Sequence, residues 1–343
     1  MQYRKLGNSG AAVSAWCLGT MTFGAEADEA ASHAILGAYA AAGGNFIDTA
    51  DVYSNGTSEE IVGRWLAANP AEARSMVVAT KARFPMASDP NGLGTSRRHL
   101  GNALDASLKR LGIERVDLYQ MHAWDALTPI EETLRFLDDA TSAGKIAYYG
   151  FSNYLGWQLT KAVHVAKAQH FAAPVTLQPQ YNLLVRDIEH EIVPACLDAG
   201  MGLLPWSPLG GGWLAGKYRR DVAPTGATRL GENPKRGMEA YEARNASERT
   251  WRIIDAVEAV AKARGVSQAE VALAWVCARP AVTSVILGAR TTDQLAENLK
   301  AADLTLEAAE METLDLASVP DAGVYPYGPQ AIAQRFRKIE GGR

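Results

Sequence analysis

Cysteine is scarce in this chain: Cys17, Cys196 and Cys277 are the only three in 343 residues, odd in number, widely spaced and set in apolar surroundings. That pattern argues against a disulfide framework or a cysteine metal site and suits reduced core residues in the cytoplasm. An excess of either charge is missing too. Lys and Arg total 34 against 38 Asp and Glu, and the basic pairs Arg97-Arg98, Lys109-Arg110 and Arg219-Arg220 are scattered, so nucleic acid is not an expected partner. No apolar run approaches the roughly 20 residues that span a bilayer. Arg4 and Lys5 do precede a mildly apolar stretch, with "AEA" at 25–27 resembling a cleavage site, but Ser14, Gly19, Thr20 and Thr22 interrupt it. A signal peptide is therefore not expected, nor is a membrane partner. No G-x-G-x-x-G follows the first strand, and "GMG" at 200–202 leads into a strand instead of a helix. The fingerprint of an open doubly wound sheet is absent.

What is present is an ordinary globular balance, 48% hydrophobic and 21% charged, arranged in β/α alternation. Eight β-rich runs stand out: "SAWCLGT" (14–20), "NFIDTA" (45–50), "SMVVATKA" (75–82), "VDLYQMH" (116–122), "IAYYGFSN" (146–153), "VTLQPQYN" (175–182), "MGLLPWSP" (201–208) and "TSVILGA" (283–289). Amphipathic helical patterns fill the gaps. One covers 96–112, with Ser96 as N-cap and Gly112 as stop; another covers 129–144, opening on Pro129 and closing on Gly144. Near-continuous apolar strands between helices predict a parallel sheet buried on both faces. The fold class expected is α/β, a (β/α)8 TIM barrel forming a single domain over 1–343. Two segments exceed a minimal barrel: a long loop at 210–247 after the seventh strand, and a tail at 318–343 expected to lie over the active-site face. Segments of such length are often functional.

In such barrels the chemistry gathers at the carboxyl ends of the strands. "FIDTADVYSNG" (46–56) delivers Asp48 and Tyr53 there, Lys81 closes the third strand and His122 the fourth. Neighbouring strands are about 5 Å apart, so the four side chains can share one centre. A phenol near pKa 10 is a poor proton donor at neutrality unless a cation stabilises its anion, and a buried ammonium needs a carboxylate to stay charged. Asp48 can hold Lys81, Lys81 can acidify Tyr53, and His122 can orient a carbonyl oxygen. Each residue alone is equally explained by a solvated charge, a core histidine or a turn brace; their convergence singles them out. Asp51 is expected to serve turn chemistry ahead of Ser54-Asn55-Gly56.

With "FIDTADVYSNGTSEEIVGRWL", "VVATK", "DLYQMHAWD", "GFSN", "LQPQYNLL", "PWSPLGGGWLAGKY" and "ILGARTTDQLAENL" in order, essentially the whole chain resembles the aldo-keto reductase superfamily, in particular bacterial members related to potassium-channel β-subunits. The resemblance implies NADPH-dependent reduction of an aldehyde or ketone, with Tyr53 as general acid, Lys81 and Asp48 tuning it and His122 positioning the carbonyl. It also implies a cofactor, NADP(H), bound along Gly19, Thr20 and Met21, with Ser152, Asn153 and Gln178 on the nicotinamide carboxamide and Trp206 stacked on its ring. Ser207, Leu209 and Lys217 fall along the pyrophosphate. Gly288 and Arg290 precede a helix N-terminus, a natural anion site, where the resemblance puts the 2′-phosphate, with Arg290 and Gln294 beside it and Glu297 and Asn298 near adenine. Gly211 to Lys217 reads G-x-x-x-x-G-K, but Tyr218 replaces the Ser or Thr of a P-loop. An apolar substrate pocket is expected from Phe23, Phe84, Trp124 and Trp213, with Met21 and parts of the two long segments. The expected partner is a small carbonyl or alcohol, and relatives ranging from monomers to rings leave a homo-oligomer open.

Other readings compete. A lysine ending a barrel strand is also how a Schiff-base lyase presents its nucleophile, though that leaves Tyr53 unused. A nucleotide-bound regulatory subunit that senses redox state could keep every one of these residues. No tyrosine has a lysine four residues on, which argues against a short-chain dehydrogenase.

Overall fold

The structure, a computed structural model, describes residues 1–226, 229–232 and 240–334. Parts of the expected 210–247 loop and of the tail therefore lie outside the described residues.

The first strands form a hairpin: β1 (Tyr3–Lys5) pairs antiparallel with β2 (Ala12–Ser14). Eight parallel strands follow: β3 (Trp16–Gly19), β4 (Phe46–Asp48), β5 (Val77–Ala82), β6 (Val116–Met121), β7 (Ile146–Ser152), β8 (Thr176–Gln178), β9 (Gly202–Leu203) and β10 (Val285–Gly288). They lie in sequence order, with β10 paired to β3. The ring closes between β9 and β10, where the Leu203 amide donates to Ala281, Thr283 to Leu203 and Ile286 to Pro205. This is the (β/α)8 barrel expected. No described helix is long and apolar enough to cross a membrane.

Period-two alternation sends every second strand residue inward. Cys17, Phe46, Ala79 and Leu118 form a buried interior layer with Leu204 and Ile286. One step further along the same face stand Gly19, Asp48, Lys81 and Gln120. The register aligns Gly19 with Asp48, Lys81 with Gln120, Ser152 with Gln178 and Gly288 with Gly19. The apolar plug thus ends in a polar layer at the carboxyl rim.

Helices cover the outside. In the helix Arg97–Leu111, Ser96 Oγ accepts from the His99 amide. Leu100, Ala103, Leu104, Ser107 and Leu111 are buried along one stripe, and Gly112 closes it at φ 65°. Pro129 takes the N-cap place of the next helix, Ile130–Ser142. The hairpin is absent from the strands read in the sequence. It seals the amino end of the barrel: Leu6 and Val13 join the interior layer, and Arg4 donates to the Cys277 and Val282 carbonyls. A side chain at Gly7 would collide with the Val175 carbonyl at 2.0 Å, so the chain passes there only as glycine.

The 210–247 segment carries a 3-10 turn over Gly210–Ala215 and short helices Arg229–Glu232 and Tyr241–Asn245. The described tail meets the barrel at the connection after β8, where Tyr327 stacks on His190 at 4.7 Å and bonds Glu191. That connection leaves the carboxyl end of a strand, so the described tail lies on the active-site face as expected, although none of its described residues lines the central cavity.

Candidate active site

A cavity of about 630 Å³ opens at the carboxyl rim, within the usual size of small-molecule and cofactor sites. Asp48, Tyr53 and His122 line it, as do Lys217, Arg290, Gln294 and Asn298.

The centre is an ion pair out of contact with water. Lys81 Nζ donates to Asp48 Oδ2 at 2.6 Å, to the Thr49 carbonyl at 2.8 Å and to Tyr53 Oη at 3.3 Å. Lys81 is 0% exposed. Asp48 Oδ1 accepts from Gln120 Nε2 at 3.1 Å and Gln178 Nε2 at 2.9 Å. Burial pulls the Lys81 ammonium down, but Asp48 and then Tyr53 reverse this and hold it above its ordinary value. His122 packs edge-on to Tyr53 at 5.8 Å. Burial, then Lys81 and Arg83, push its imidazole well below the ordinary value, so it is neutral at pH 7. The arrangement can hand a proton from a phenol to an oxygen resting against a neutral imidazole.

Tyr53 corrects one expectation. Burial raises its phenol above 10.0, and Lys81 offsets this only in part, with Asp48 adding to the rise. The ammonium stabilises phenolate, but desolvation outweighs it, and the proton stays on Tyr53.

Gly19, Thr20, Met21, Ser152, Asn153, Gln178, Trp206, Ser207, Leu209, Lys217, Gly288, Arg290, Gln294 and Asn298 all line the same cavity. Ser152 Oγ donates to the Gln178 carbonyl, and Asn153 bridges the His122 carbonyl and the Trp206 indole. Gln178 spends its amide hydrogens on Asp48 and Gln120, a bracing task the resemblance does not imply. Arg290 stands 3.5 Å from Glu26.

Four expected residues lie elsewhere. Trp213 is 0% exposed, stacked on Tyr241 and packed against Tyr218 and Trp251; it anchors the segment after β9 from inside the core. Phe23 is also 0% exposed, in the main core, and only its carbonyl reaches the site loop, accepting from Ser54. Glu297 does not line the cavity: the i, i+4 spacing of Gln294 and Asn298 gives them the cavity face, while Glu297 pairs with Lys300 at 2.6 Å. Trp124 packs on Tyr154 and Trp157. Phe84 does not line the cavity but borders it, edge-on to His122 at 4.7 Å. Gln120 was overlooked in the sequence, where one glutamine in an apolar strand carried no signal without the positions of its neighbours.

Asp51 sits at the corner of a turn closed by the Tyr53 amide on the Ala50 carbonyl, but its side chain does not brace that turn. It is 0% exposed, and neither carboxylate oxygen has a hydrogen-bond partner of good geometry among the described residues. Burial, then Glu59, raises its carboxyl to about 7, against weaker pulls from the Val52 amide, Arg110 and Lys81. The fold thus holds the proton more tightly than the unfolded chain, whose value is near 3.8. Stability from this group is full below about pH 4, falls as pH rises to about 7 and stays reduced above, by at most about 4 kcal/mol. Asp51→Asn should melt at a higher temperature than the parent at about pH 8 and close to it at about pH 4. Coincident melts at the higher pH would refute this account of Asp51.

A closed parallel barrel with a buried lysine-carboxylate pair beside a phenol at its carboxyl rim defines the class, a barrel oxidoreductase working on carbonyls. The family profile described as Aldo/keto reductase family matches residues 15–318, and the chain belongs to that family. Its members generally use NAD(P)H. The chain is 36% identical over 327 residues to "Uncharacterized oxidoreductase YrpG" of Bacillus subtilis, covering 92% of this chain and 95% of the relative. It is 39% identical over 306 residues to a "Probable voltage-gated potassium channel subunit beta" of Oryza sativa subsp. japonica, covering 89% and 92%. "Versiconal hemiacetal acetate reductase" of Aspergillus parasiticus is 34% identical over 346 residues, covering 94% and 98%.

Proposed function

We propose that this protein is a cytoplasmic enzyme that reduces an aldehyde or ketone to the alcohol with NADPH, reversibly. The observation that carries the reading is the contact of the buried Lys81 ammonium with both Asp48 and the Tyr53 phenol, beside a neutral His122. The cavity fits a dinucleotide. Its lining joins this centre to a guanidinium and an ammonium, Arg290 and Lys217, and Gly288 leaves open space where a side chain would stand. Trp206, Ser152 and Asn153 would hold the nicotinamide end and Lys217, Arg290, Gln294 and Asn298 the phosphates and adenosine. When bound, the nucleotide supplies a hydride equivalent to the carbonyl carbon.

The chain's own residues manage the oxygen. His122 as neutral imidazole donates a hydrogen bond to the carbonyl oxygen and fixes its position. Tyr53 gives its proton to that oxygen as negative charge develops there, and the Lys81 ammonium stabilises the phenolate left behind. Asp48, held by Gln120 and Gln178, keeps Lys81 charged in a water-poor site. Alcohol oxidation uses the same groups in reverse.

Arg290 argues for the phosphorylated nucleotide, since a guanidinium matches a phosphate dianion. NADPH should bind at least about tenfold more tightly than NADH, and Arg290→Ala should remove most of that gap. Quenching of tryptophan fluorescence by each nucleotide measures both, and equal affinities in the parent would exclude the preference.

The likeness to a channel β-subunit favours a second reading, a nucleotide-bound redox-sensing regulatory subunit. Assay of a panel of carbonyls and alcohols at the reduced-nicotinamide absorbance decides: steady turnover supports the reductase, and retained nucleotide without turnover supports the sensor.

A further inference from the structure

The one part Arg83 has in the reaction just described is the charge that helps keep His122 neutral, yet it stands two residues beyond Lys81 at the end of β5. Its backbone φ is 145°, a region that residues other than glycine rarely enter and that folds maintain mainly at functional positions. The residue is half-buried, and Nε is buried with no hydrogen-bond partner. Among the described residues no carboxylate lies within ion-pairing distance of it. Asp125 feels its charge, but the oxygens of Asp125 already accept from the Thr95 and Leu127 amides and the Thr128 hydroxyl. The contact Arg83 does make is with a ring: its guanidinium carbon lies 5.2 Å from the centroid of Phe84. That ring in turn packs edge-on to His122 at 4.7 Å. A cation partly withdrawn from water without an anion is unfavourable, and the deficit is corrected if a ligand brings the anion.

We propose that Arg83 is an anion subsite for the substrate: the protein acts on carbonyl compounds that carry a carboxylate about one aromatic ring away from the reacting carbonyl. The carbonyl rests at Tyr53 and His122, the spacer lies along Phe84, and the carboxylate pairs with the guanidinium. The match is to a monoanion, because Lys81, the ammonium two residues away, is committed to Asp48; a phosphate dianion would call for a second cation. The planar guanidinium accepts a carboxylate through two parallel hydrogen bonds. This inference rests on the reductase reading, and its test separates the two.

The probes are 4-formylbenzoate and its methyl ester, assayed with NADPH, and 4-(hydroxymethyl)benzoate, titrated calorimetrically. The parent should favour the carboxylate over the ester by about tenfold or more in kcat/KM, chiefly through KM. In Arg83→Met that ratio should fall to about one, and Arg83→Lys should keep part of it. Arg83→Gly, which relieves the backbone conformation, should also lose the preference, so poor folding of Arg83→Met does not shelter the proposal. A parent indifferent to the carboxylate, or a preference that survives Arg83→Met or Arg83→Gly, overturns it. If the parent reduces neither aldehyde, it is the reductase reading that loses support. The subsite then stands if 4-(hydroxymethyl)benzoate binds the parent at least about tenfold more tightly than Arg83→Gly, and falls if it does not.

Discussion

A Tyr53→Phe variant should reduce carbonyls about 10²- to 10⁴-fold more slowly than the parent while binding nucleotide as before. The substitution removes one oxygen, the one 3.3 Å from Lys81 Nζ, and keeps the ring that packs against His122. No neighbour can replace the donor: His122 is neutral and has no acidic proton to give at pH 7, and Lys81 is held charged by Asp48. The raised phenol value sets the pH dependence. In the proposed mechanism protonated Tyr53 is the active form for reduction, so this group should leave the reductive rate level at all pH values below the ordinary 10.0, with decline only beyond. Alcohol oxidation needs the phenolate, and its rate should climb with pH across that range. Stopped-flow traces at the reduced-nicotinamide band read both directions, and a variant as fast as the parent would end the proposal that Tyr53 is the acid.

Lys81→Met should cost both activity and stability. It leaves Asp48 as a buried carboxylate served only by two amides, and breaking a buried pair from one side destabilises by about 3–5 kcal/mol. Turnover should fall by at least about 10²-fold, because phenolate loses its counter-charge. Pairing Lys81→Met with Asp48→Asn separates the effects: the double variant should recover much of the melting temperature, since no uncompensated charge remains, but none of the activity. The coupling energy from chemical denaturation of all four proteins measures this. A single Lys81→Met variant with parental melting and turnover would show that the ammonium serves neither purpose.

The barrel and the four central residues were legible in the sequence because both follow from short-range pattern. Apolar strand runs alternate with helical stripes, and the last inward residue of a parallel strand faces the rim, so Asp48 and Lys81 could be placed without coordinates. What the sequence concealed depended on three-dimensional register. Gln120 aligns with Lys81 across β5 and β6, a neighbour no local reading supplies. Trp213 and Phe23 looked like pocket aromatics because they follow strand ends, but a large apolar side chain gains more by complete burial, and both turned into the core. Asp51 does stand in a turn, yet its carboxyl is buried and unbonded instead of bracing it. The acidity of Tyr53 was misjudged for a similar reason: pairing is visible in residue types, whereas the depth of desolvation is not. The hairpin at the start went unread because three-residue strands around Gly7-Asn8-Ser9-Gly10 are too short to show alternation.

That hairpin gives the molecule a preferred way to be handled. Met1 lies against Gly43, at the sealed end of the barrel, with the whole length of the interior plug between it and the cavity. An affinity handle or a resin linker attached there points away from the mouth, so immobilised protein should present its cavity to the passing solution and keep the catalytic constants of the free form.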